Sequence, residues 1–87
     1  MDIIIKDKEQ AFNVGRDGAG VIKRVLVHHK AEFYIISENT ALGETLIFQA
    51  SPTGEVTDWY EVGGGKDRTL NEVLADIEQH LFKTRYF

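Results

Sequence analysis

The sequence has no cysteine, a single proline, a single tryptophan and no uninterrupted apolar run longer than a few residues. Without cysteine there are no disulfide staples, thiolate metal sites or thiol nucleophiles, and a reducing compartment is expected. The short apolar runs exclude a membrane-spanning helix, and the opening "MDIIIKDK" is too short and too acidic for a secretory signal. A soluble, cytoplasmic protein is the expectation. Serine is scarce too: Ser37 and Ser51 stand outside any nucleophile-elbow context, and no carboxylate spacing singles out an acid and a base, so no enzyme activity is expected. Neither a metal nor a cofactor is called for. Positive charge is missing from a long stretch, since residues 31–65 hold no Lys or Arg, while Glu32, Glu38, Glu44, Glu55, Asp58 and Glu61 all fall there. Between positions 16 and 30 the sign reverses, with Arg16, Lys23, Arg24 and Lys30 against Asp17. With a net charge of −4, nonspecific nucleic-acid binding is disfavoured.

What is present is ordinary globular composition, 43% hydrophobic and 28% charged in 87 residues, enough for one small domain. "VIKRVLVHH" and "EFYIIS" are rich in β-branched and aromatic residues and are separated only by Lys30 and Ala31, which predicts a hairpin. That loop sets His29 opposite Glu32, Val27 opposite Tyr34, Val25 opposite Ile36 and Lys23 opposite Glu38. A second hairpin follows from "SPTGE", where Pro52 suits a type I turn and Gly54 the left-handed residue after it. Continued without interruption, its register places Ile47 opposite Trp59 and gathers Leu46, Phe48, Ala50, Val56 and Tyr60 on a core face, with Asp58 as the misfit. "TLNEVLADIEQHLFK" carries Leu70, Val73, Leu74, Ile77 and Leu81 at helical spacing behind a Thr69/Glu72 capping box, predicting one helix from Leu70 to Lys83. "DIIIK" reads as an edge strand and "DKEQAF" as one helical turn. The expected fold is α+β: a four-stranded antiparallel meander, with or without an N-terminal edge strand, packed by one C-terminal amphipathic helix.

Two glycine-rich stretches, residues 14–21 ("VGRDGAGV") and 62–69 ("VGGGKDRT"), superficially suggest phosphate binding. The first has the wrong glycine order for a dinucleotide fingerprint and precedes a strand; the second has Tyr60 and Asp67 where a P-loop needs Gly and Ser or Thr. They read as an entry loop and a flexible linker. His28 and His29, adjacent on a strand, point to opposite faces and cannot chelate together, and His80 pairs on the helix surface with Asp76.

The strands of the first hairpin are apolar on both faces while only one substantial helix is available. Trp59 and Ile47, joined by Tyr34 and Ile36, are therefore expected to form an uncovered patch, rimmed by Glu44, Glu55 and Glu61. The N-terminal isoleucines Ile3, Ile4 and Ile5 with Phe12, the aromatic tail "LFKTRYF" folding back, a second copy of the chain or a partner closes it. The first reading is a protein-binding module that docks on or occludes a partner with a basic surface, with mimicry of nucleic acid as a subclass, or else self-associates as a homodimer. The alternative is a small-ligand or phosphate-binding domain using the glycine loops with Arg16, Lys66 and Arg68. The stretch "TGEVTDWYEVGGG" followed by a terminal amphipathic helix resembles small accessory proteins of phages and mobile elements, which implies a stoichiometric binder of a host protein.

Overall fold

A computed structural model describes residues 10–13 and 19–87; at 10–13, 19–21 and 58–60 it describes the backbone. Five antiparallel strands run in sequence order, β1 (Gln10–Asn13), β2 (Ala19–His29), β3 (Glu32–Asn39), β4 (Glu44–Ala50) and β5 (Val56–Lys66), followed by α1 (Leu70–Glu78) and α2 (Phe82–Tyr86). The class is α+β as expected; among the described residues a fifth strand stands at the N-terminal edge, which the sequence allowed, and two helices stand where it suggested one. The "DIIIK" strand lies outside the described residues. Gln10, Ala11 and Phe12, expected in a helical turn, belong instead to β1, which pairs with Ala19–Ile22. A single turn closed by a capping box holds too few hydrogen bonds to compete with a ladder on an open sheet edge.

The β2–β3 hairpin has the register its turn dictates. Lys30 and Ala31 both take positive φ, as a two-residue hairpin loop requires, and His29↔Glu32, Val27↔Tyr34, Val25↔Ile36 and Lys23↔Glu38 are paired. The β4–β5 turn also closes as expected: Ser51 N–H donates to the Glu55 carbonyl at 2.8 Å and Gly54 sits at φ 90°. Beyond Ala50↔Val56, however, β5 bulges, so that Phe48 meets Glu61 and Ile47 meets Gly63. Residues 57–60 of the edge strand thus face Gln49 alone, and the Ile47–Trp59 pairing does not form.

The bulges leave "VGGG" within a strand, not in a linker: Ile47↔Gly63, Leu46↔Gly64 and Thr45↔Gly65 are ladder pairs. Above them the chain turns at Asp67 into α1, whose N-cap Thr69 hydroxyl accepts the Glu72 amide at 3.2 Å. The helix stops before Lys83 because His80 adopts φ 62° and the chain closes a Schellman pattern: His80 N–H donates to the Ile77 carbonyl and Leu81 N–H to the Asp76 carbonyl. This redirects the chain so that Phe82 and Tyr86, one helical turn apart, enter the core. Asp76, buried at 6% exposure, fastens the two helices by accepting from Arg85 Nη1 at 3.0 Å and from Tyr86 Oη at 2.8 Å. Burial first, and then that carboxylate, push the Tyr86 hydroxyl up to about 12. His80, expected beside Asp76 on a continuous helix, is instead the exposed hinge residue.

One apolar cluster joins the helices to the sheet: Leu70, Val73, Ile77, Phe82 and Tyr86 meet Val25, Val27, Tyr34, Ile36 and Ile47. It occupies one face of β2–β4. No described helix is long and apolar enough to cross a membrane.

Candidate binding face

On the other face the sheet curls into a half-barrel. A Cβ on Gly54, at the tip of the β4–β5 hairpin, would lie 3.5 Å from Cδ2 of Leu26 on β2, two strands away. Such an approach needs strong coiling, which the β5 bulges supply. The hollow encloses a cavity of about 590 Å³ lined by Ile22, Ile35, Leu46, Phe48 and Val56, with Leu42, 61% exposed, in the β3–β4 turn at its rim. Ile35, Leu46, Phe48 and Val56 are half-buried, and no described element lies across them. Glu44 and Glu55 stand at the margin and Arg24 on the wall. Further along the same face His28 stacks on Phe33, with ring centroids 4.4 Å apart.

The two faces are therefore exchanged relative to the expected ones. Ile47, Tyr34 and Ile36, read as members of an open patch, are buried beneath α1 and α2. Leu46 and Phe48, read as core, line the open hollow. The cause lies in β2–β4 themselves: both faces are apolar, so alternation yields two equivalent sets and does not say which one the helices take. The side chains of Asp58, Trp59 and Tyr60 lie outside the described residues, as does Arg16. Glu55 and Glu61 are exposed, and Glu44 is half-buried in register with Lys66. Ile22 and Ile35 are not among the site residues expected from the sequence, although the apolar pattern on both faces is the signal that contains them.

At the helix start the phosphate reading meets occupied donors. The Leu70 amide donates to Oε2 of Glu38 at 2.9 Å, and Arg68 is paired with Glu72 at 3.1 Å. A carboxylate from β3 thus already sits where an anion would bind. Glu38 is nearly buried and ties sheet to helix, so Glu38→Ala should lower stability by about 1–3 kcal/mol, read by chemical denaturation. Glu38→Gln, which keeps an acceptor, should lose less.

At the opposite end of the core, Tyr34 Oη donates to Glu32, and Lys83 Nζ reaches the same carboxylate at 2.8 Å. The hydrogen bonds from Lys83 and Tyr34 hold the Glu32 carboxyl below its usual range, while the same contacts raise Lys83 and burial raises Tyr34. This cluster fastens α2 to β3. Comparison with protein-family models, curated proteins and solved structures finds no match to the chain.

Proposed function

We propose that this chain is a non-catalytic binding module whose working surface is the open hollow of the half-barrel, and that its occupant is an apolar segment of a partner protein flanked by Lys or Arg. One observation carries the reading. The helices cover only one of two apolar faces, and the second keeps half-buried Ile35, Leu46, Phe48 and Val56 around a cavity of about 590 Å³. A concave apolar surface with a polar margin is what recognition sites use. Charge selects the flanks of the occupant. Glu44 and Glu55 border the hollow against one cation, Arg24, among its described lining residues, so the margin is net acidic and favours basic flanks over acidic ones.

A selection from a displayed random-peptide library against the full chain tests this. Enriched peptides should carry an apolar core bounded by Lys or Arg, and Phe48→Asp should weaken them by about tenfold or more while circular dichroism stays unchanged. Glu44→Gln with Glu55→Gln should slow association and flatten its salt dependence, with a smaller loss of affinity. Failure to enrich any such peptide overturns the reading. So does undiminished binding to Phe48→Asp, or sedimentation showing that the chain alone is a dimer whose hollow closes on a second copy.

A further inference from the structure

His29 ends β2 at the mouth of the β2–β3 hairpin and is only 1% exposed. Its Nδ1 is buried and has no hydrogen-bond partner among the described residues. The ring meets Phe82 of α2 edge-on, with centroids 5.4 Å apart and planes at 81°. Phe82 is itself fully buried and touches Tyr34, Tyr86 and Phe87 as well, so the contact with His29 is part of what seats α2. The charged groups around the imidazole are unfavourable to a second positive charge. Lys30 follows it in the turn, Lys83 of α2 and His80 of the interhelical hinge act on it, and Glu32 of β3, the opposing charge, is already engaged by Lys83 and Tyr34.

We propose that His29 is an acid-sensitive latch: neutral, it packs beneath Phe82 and holds α2 on the sheet, and its protonation releases α2 while the β2–β4 ladder persists. An imidazolium at this position has a second N–H to satisfy where Nδ1 meets no partner among the described residues. Separating Phe82 from β2 admits water and removes that penalty. α2 is suited to local release, being five residues long and held by the Asp76 and Glu32 contacts and by the seating of Phe82 and Tyr86.

The sign follows from the ring's environment. Burial first, and then the neighbouring cations, hold His29 below its ordinary 6.5, so the docked state binds its proton less readily than the undocked one. Docking is therefore fully supported above about pH 6.5 and weakens as pH falls below it. The undocked population should rise about tenfold per pH unit until the lowered value is reached. The Glu32 carboxyl, held below 4.5, titrates later and does not contribute in this window.

An NMR titration of the full chain from about pH 8 to about pH 5 tests the latch. Resonances of Phe82 and Tyr86 should move toward random-coil positions with the same midpoint as the His29 ring, while β2–β4 amides keep their shifts. In His29→Phe, or in His29→Gln should the first variant not fold, α2 should stay docked over the whole range. The proposal is overturned if α2 stays docked in the wild type at the acid end of the range, or if it leaves equally in a variant that lacks the imidazole.

Discussion

Gly64→Ala should cost about 3 kcal/mol or more, lowering the melting temperature of a domain this size by roughly 15 °C. Two penalties coincide at that residue. Its φ of 118° is a conformation that L side chains rarely adopt, and a Cβ there would lie 2.2 Å from the Thr45 carbonyl oxygen and 2.9 Å from Cα of Leu46. Both obstacles are backbone atoms of the paired strand, so no rotamer change relieves them. Gly63→Ala should be nearly as damaging, about 2–4 kcal/mol, for a different reason. Its Cβ would come within 2.4 Å of the Tyr86 carbonyl oxygen, so either β5 or the end of α2 must move. Gly65→Ala is the control, having nothing within 4 Å of the added carbon, and should stay within about 0.5 kcal/mol of wild type. Thermal unfolding of the three variants decides the point. Equal, small losses would mean that the run serves as a flexible connection; the graded order Gly64, Gly63, Gly65 marks it as a strand pressed between β4 and α2.

That glycine run also shows where reading the sequence stops. Lys30–Ala31 fixes the β2–β3 register because a two-residue loop leaves no freedom in pairing, and each predicted partner is found. Pro52 and Gly54 fix the next turn equally well. What alternation does not carry is the bulge after Val56, since extra residues in one strand leave no compositional mark except the glycines that tolerate the close approach. From there the predicted partner of every β4 residue before Ala50 is displaced, and the Trp59 pairing is lost with them. The break at His80 was hidden in a similar way. A C-terminal left-handed residue is usually Gly or Asn, and "EQHLF" offers neither, so Leu81 appeared to continue the apolar stripe. The open face was legible as a surplus of apolar surface but not in its location. Which face the helices cover depends on the route through Asp67 and the seating of Phe82, and both are tertiary features.

Phe82→Ala should be the most damaging single truncation in the helices, about 3–5 kcal/mol, out of a total that for small domains is typically about 5–15 kcal/mol. The ring is fully buried and joins His29, Tyr34, Tyr86 and Phe87 into one aromatic cluster with centroid separations of 5.1–5.6 Å. A five-residue helix has no independent stability, so without this anchor the segment after Leu81 should detach and leave Tyr34 and His29 facing water. Hydrogen exchange would show this as loss of protection confined to α2 before any loss in β2–β4. Phe82→Leu, which refills most of the space, should cost markedly less. The same variant separates two origins for the behaviour of His29. If α2 is what keeps water from the imidazole, His29 in Phe82→Ala should titrate near its ordinary 6.5. A ring that still resists protonation there would owe its burial to the sheet alone, and protonation would then have no energetic hold on α2.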